Sequence, residues 1–218
     1  MTRQREPGRA GAVRASKSQT ARAVTALGRR HSGVERTVLT DALEQLADGG
    51  VKALTIEGVS ARTGISKTTL YRRWRSKEDL ALAVLLEMAR MATTTAPVHD
   101  DVRPGLVSYL RAVIAILRDT PFGRVMQGLV SDLATDPEMG HVFRAEVVAL
   151  RQEHLAELVQ QGIDRGTLRD DLDPSLLQEL VFGPVYYRLL FSGLPFEDDL
   201  AERIVDSVLP GMLAPPDR

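Results

Sequence analysis

The stretch ISKTTLYRRW, residues 65–74, concentrates the side chains best suited to chemistry. On a helix stepping about 100° per residue, Leu70 and Trp74 fall within about 40° of each other, while Thr68, Thr69 and Arg72 point away from them. Tyr71 and Arg73 flank that outward set, and Lys67 stands at its start. An arginine fork bonds guanine at two points, a threonine meets a thymine methyl or a base acceptor, and tyrosine or lysine holds a phosphate. The face therefore suits base edges in a major groove with phosphates on either side. The same ten residues are also compatible with a solvated helical bundle that binds nothing.

Positioning such a face needs a platform, and the flanking residues spell one. Ser66 caps this helix, and Ile65 before it is placed to staple against Leu70. Thr55 caps a preceding helix that runs to Thr63, and Gly64 makes the turn between them. Val59, Ala61, Gly64, Ile65 and Leu70 are the small and apolar positions of a helix-turn-helix. Upstream, SGVE (32–35) has capping-box spacing, and Leu39, Ala42, Leu43, Leu46 and Ala47 follow steps of three and four. Gly49-Gly50 ends that helix. Downstream, Ser76 caps a fourth helix, with Asp79 near its start and Leu80, Val84, Leu85 and Met88 turned inward. The free N–H groups behind Thr55 and the ammonium of Lys77 are placed for phosphate.

Charge is divided along the chain in the sense this reading requires. The net charge of −1 hides residues 1–80, with 16 Lys and Arg against 8 Asp and Glu, and residues 81–218, with 12 against 21. A basic front half favours a polyanion. Residues 1–31 carry eight Lys and Arg without a helical stripe, as either a disordered tail or an arm lying along nucleic acid. The longest apolar run, LALAVLL (80–86), is too short to cross a bilayer, and the expected location is cytoplasmic. With no cysteine, and with His31, His99, His141 and His154 out of metal spacing, no metal site is expected. No nucleophile–base pair or phosphate-cradling glycine loop is visible, so neither an enzyme nor a cofactor is expected, and no catalytic residue is named.

The remainder reads as helices near 102–118, 121–134, 137–164, 174–192 and 196–213. Thr120-Pro121, Asp136-Pro137 and Asp173-Pro174 each pair a cap with a first-turn proline. No strand-like alternation appears, so the fold class is all-α. Met139, Phe143, Val147, Leu150, His154 and Leu158 form one stripe, interrupted by the imidazole. Met126, Leu129, Phe143, Leu150, His154, Phe182 and Tyr186 are candidates to line an effector pocket, or else plain core. Gly183-Pro184 interrupts the hydrogen-bond ladder of its helix, shaping a cavity or a dimer face, or merely tolerated.

The segment LTIEGVSARTGISKTTLYRRWRSKEDLALAVL (54–85) resembles the DNA-binding domain of the TetR family of bacterial transcriptional regulators, a likeness covering roughly residues 34–90. The resemblance implies a three-helix DNA-binding unit (32–80 here) after the 1–31 arm. A fourth helix then links it to a C-terminal helical dimerisation and effector domain (81–218). It implies DNA contacts at Thr55, Lys67, Thr68, Thr69, Tyr71, Arg72 and Lys77, with Arg73 added from the helix geometry. Ser60 and Glu57 depart from the family pattern, and no base contact is carried to Glu57. The stretch LRDDLDPSLLQELVFGPVYYRLL (168–190) is more loosely similar to the family's C-terminal domains. It implies a homodimer in which helices 174–192 and 196–213 pair with their copies through Leu176, Leu180 and Leu190, and Leu200, Ile204 and Val208. The implied function is a repressor on double-stranded DNA with a palindromic operator, released by a small apolar or amphipathic effector. The alternative is a regulator without an effector, governed by a protein partner or by abundance.

Overall fold

The computed structural model describes residues 32–95 and 101–214, so the 1–31 arm, with His31, and His99 lie outside the described residues. Helix α1, Gly33–Ala53, begins with the capping box: the Ser32 hydroxyl accepts from the Glu35 N–H, and the Glu35 carboxylate accepts from the Ser32 N–H. Its regular part stops at Gly49-Gly50, where Gly50 turns at φ 67°, a left-handed conformation suited to glycine. Helix α2, Ile56–Thr63, starts on Thr55 and ends on Gly64 at φ 74°. That turn launches α3, Lys67–Arg73, capped by Ser66. Helix α4, Lys77–Thr95, buries Leu80, Val84, Leu85 and Met88 as expected.

Five further helices follow: α5, Val102–Asp119; α6, Phe122–Thr135; α7, Pro137–Val142; α8, Ala149–Asp164; and α9, Pro174–Tyr187. Asp136 and Asp173 cap α7 and α9 by accepting backbone N–H bonds, and Thr120 accepts from the Phe122 N–H at the start of α6. The helix expected over 137–164 is continuous, but Phe143–Val148 is wound as a π-helical segment between α7 and α8. A second π segment, Arg188–Ser192, follows α9 and starts four residues after Pro184. Helicity persists through Pro184, and the chain adjusts its winding beyond it instead of breaking.

The last helix corrects the expectation of 196–213. Helix α10 spans Leu200–Val208 and ends in a short 3-10 turn, Leu209–Gly211. Residues 195–199 are held out of the helix by arginines. Arg188 donates to the Pro195 carbonyl and to Glu197, Arg203 pairs with Glu197, and Arg118 pairs with Asp198. Leu200 and Ile204 are buried within the same chain, where α10 packs against α5 and α9. They are spent on this chain's own core and are not free to meet a second copy. On α9, by contrast, Leu176 and Leu180 are half exposed.

A single apolar core joins the two halves. Helix α1 packs chiefly on α6 and α4, so the platform for α3 rests directly on the C-terminal helices. Just past the kink near the end of α1 the Val51 N–H donates to Asp132 on α6 at 3.2 Å, and the Val51 carbonyl accepts from Lys77 at the head of α4 at 3.0 Å. Gly50 lets the chain pass close to Asp132, because a β-carbon there would lie 3.1 Å from its carboxylate.

Candidate functional site

Helix α3 lies with Leu70 and Trp74 in the core and Lys67, Thr68, Tyr71, Arg72 and Arg73 exposed. The two-sidedness follows from the 3.6-residue repeat, and its anchor is the pair of large apolar groups four residues apart. Thr69 is half-buried, and its hydroxyl shares a 2.9 Å hydrogen bond with the Ser66 cap. Arg72 has no partner among the described residues, so its guanidinium is available in full.

The other cations are less free than their spacing suggests. Lys67 pairs with Glu57 at 3.1 Å, across the turn from α2. The hydrogen bond from Lys67 is the main reason that the Glu57 carboxyl is held below the usual carboxylate range. Both groups are exposed, and such a pair is readily exchanged for another anion. Arg73 pairs with Glu35 at the start of α1, and its guanidinium lies 5.8 Å from the Trp74 ring. Lys77, half-buried, spends one of its three donors on Val51. The expected phosphate cation is thus also a tie between α4 and the end of α1. Thr55 accepts from the Gly58 N–H at 2.9 Å, and its own N–H donates to Gln45.

Behind this face is a polar brace whose centre, Arg62, the sequence reading did not single out. Arg62 bonds Asp41 at 2.5 Å and Glu44 at 2.6 Å, and Gln45 donates to Asp41 at 2.7 Å. Asp41 and Gln45 are buried, and every member of the brace is satisfied, which fixes α2 on α1 in one orientation. A usable signal was present: Asp41, Glu44 and Gln45 are three and four apart and so share one polar face of α1.

In the C-terminal half the seven pocket candidates do not form one lining. Leu129 packs with Leu46, Val51 and Leu85 at the α1–α6 junction. Phe143 lines a cavity of about 280 Å³ between the head of α4 and α7, with Leu82, Met139 and Val142 and a rim that includes Glu78, Asp79, Asp136 and Glu138. Met126 is buried and Leu150 half-buried in the common core. His154, Phe182 and Tyr186 do converge, around a residue the sequence reading missed. Tyr109 on α5 makes edge-to-face contacts with His154 at 4.5 Å and with Phe182 at 5.4 Å. Arg151 on α8, also missed, donates to the Tyr186 hydroxyl. Arg151 falls midway between Val147 and Leu155, both fully buried, four residues from each. Burial pushes the Tyr109 hydroxyl up to about 12 and lowers the His154 imidazole below its ordinary value, an effect that Glu157 partly offsets.

Among the described residues no group of three or more His, Asp or Glu is placed to hold a metal ion, and no helix is long and apolar enough to cross a membrane. Residues 38–84 match the family model described as bacterial regulatory proteins of the tetR family, and residues 96–208 match the tetracyclin repressor-like C-terminal domain. The chain is 26% identical over 187 residues to the uncharacterised HTH-type transcriptional regulator YdeS of Bacillus subtilis, covering 85% of this chain and 92% of that one. It is 29% identical over 186 residues to the DNA-binding transcriptional repressor TetR of Mycobacteroides abscessus, covering 82% and 93%. The crystal structure of the TetR family transcription regulator SCO0332 superimposes with a TM-score of 0.65 at 32% identity, over 83% of this chain and 99% of that one. The first match ends within α4 and the second begins just before α5; together they cover the helix-turn-helix and the C-terminal helices and agree with the fold. The chain belongs to the TetR family of bacterial transcriptional regulators.

Proposed function

We propose that the protein is a homodimeric repressor that binds a palindromic operator and leaves it when a small effector occupies the C-terminal domain. The observation that carries the DNA-binding part is the outward face of α3, where Thr68, Tyr71 and an unpaired Arg72 stand on a fully buried Leu70. In this reading residues 32–80 are the DNA-binding unit and 81–218 the dimerisation and effector domain. Arg72 and Thr68 read base edges. Tyr71, Lys67 and the start of α2 at Thr55 hold phosphates, with Thr69 steadying the cap. Lys67 exchanges Glu57 for phosphate, Arg73 exchanges Glu35, and Lys77 uses the two donors that Val51 leaves.

Dimerisation is supported by an exposed apolar band. Leu176, Leu180, Tyr187, Phe191 and Leu194 are each at least about half exposed on α9 and the turn after it. Large contiguous apolar surface of this kind marks an association site. Because the α10 stripe is buried in its own chain, α9 carries most of this contact. The dimer then sets the separation of the two α3 helices to about one DNA turn. An effector acts only through its different affinity for the two spacings. The Val51 backbone, bonded at once to Asp132 and Lys77, couples a shift of α6 to the head of α4.

Selection of bound duplexes from a random pool tests this reading. The expected product is an inverted repeat with half-sites about 10 base pairs apart or a multiple of that. Enrichment of an isolated half-site, or of no sequence, contradicts it.

A further inference from the structure

We propose that Arg151 anchors a binding site for a small organic monocarboxylate with an apolar body; as the chemical class of the effector, this rests on the ligand-released reading above. Arg151 is only 6% exposed, yet its Nε has no hydrogen-bond acceptor and no carboxylate among the described residues pairs with its guanidinium. Among the described residues its one hydrogen-bond partner is the Tyr186 hydroxyl. Tyr109 is 1% exposed, and its hydroxyl has no partner among the described residues. A buried guanidinium is strongly disfavoured unless an anion joins it, and a buried hydroxyl is disfavoured unless it is bonded. Both deficits lie in one cluster, and one ligand group cures both. A carboxylate accepts from the free Nε edge of Arg151 and from the Tyr109 and Tyr186 hydroxyls.

The surroundings choose among anions. The site holds one fixed positive charge, since burial keeps the His154 imidazole neutral near pH 7. A single negative charge is neutralised there, whereas a dianion leaves an uncompensated charge among Phe182, Val147 and Leu155, all buried. Those same side chains favour an apolar ligand body. The backbone is irregularly wound on both sides of the cluster. One π-helical segment ends at Val148, three residues before Arg151, and the other starts at Arg188, two residues after Tyr186. Such segments are frequent at functional sites.

The test uses the full-length chain with decanoate and 4-phenylbutyrate, each against its uncharged alcohol. At least one acid is expected to raise Tm by several degrees and to bind at least tenfold more tightly than its alcohol. Arg151→Met is expected to fold, to melt at or above the wild-type temperature, and to lose the acid-induced shift. Tyr109→Phe removes one hydroxyl only and is expected to weaken the acid about tenfold. Equal binding of acid and alcohol, no shift with either acid, or unchanged acid affinity in either variant overturns the proposal. Operator binding separates it from the regulatory reading. An acid that binds through Arg151 without loosening the operator supports the site and removes the regulatory role. Operator release by the acid that persists in Arg151→Met does the reverse.

Discussion

Two arginines show how differently the two halves of this molecule are finished. Arg62 bridges α2 to α1 with carboxylates on two of its nitrogens, and the buried Asp41 and Gln45 beside it are bonded to each other. Arg151 lies deeper, on α8 against α9, with a phenol as its one hydrogen-bond partner among the described residues. Of four buried side-chain atoms without a partner among the described residues, only the Thr40 hydroxyl is in the N-terminal unit; those of Tyr109, Arg151 and Glu202 are in the C-terminal half. A fully satisfied polar network specifies one geometry, which a surface that reads DNA requires. A core with unmet donors is stabilised by whatever meets them, which is the thermodynamic condition for a ligand to select a conformation.

Breaking the comparison starts with the brace. Arg62→Ala strands Asp41 in the core and is expected to cost about 2–3 kcal/mol, less than a wholly buried pair because Arg62 itself is half exposed, read as a lower urea midpoint. Arg72→Ala should leave that midpoint unchanged while weakening operator binding by about 1–3 kcal/mol and relaxing one base position in the selected sites. Arg151→Met carries the opposite sign to Arg62→Ala: replacing an unpaired buried charge by an apolar chain of similar length should stabilise the unliganded protein by about 1 kcal/mol. If both arginine variants destabilise equally, the contrast between the halves is lost.

Lys77→Ala sharpens a smaller point. It should flatten the salt dependence of DNA binding by about one unit, and it should also cost about 1 kcal/mol of stability through the Val51 bond. Loss of the salt term alone would make the Val51 bond incidental. The smallest effect concerns His154. Its folded pKa is depressed by burial from 6.5, so the unfolded chain takes up the proton first and stability declines as pH falls below about 6.5. His154→Asn should remove that part of the slope in urea titrations between pH 7 and 5.

The local features were legible before any coordinates. Ser32 with Glu35, Thr55, Ser66, Asp136 and Asp173 each bond within three residues, so their caps depend on sequence neighbours alone. The two faces of α3 likewise follow from residue order, because a helix of known start has only one way to distribute its side chains. Less was readable where a short-range pattern has two uses. The Leu200 and Ile204 stripe fits a dimer face as well as it fits an internal core, and only the packing of α10 on α5 and α9 selects the second.

By itself, then, the sequence determined the all-helical class, the capped helix starts and the chemistry offered by α3, but not where the last helix begins and ends. The tertiary structure alone decided which cations are spoken for, with Lys77 drawn to Val51, Arg73 to Glu35 and Arg62 to Asp41, and it alone buried Arg151 beside Tyr109. The reason is range. Caps and helix faces arise from neighbours a few residues apart, whereas the burial and pairing of a charged side chain depend on which distant helix is laid across it.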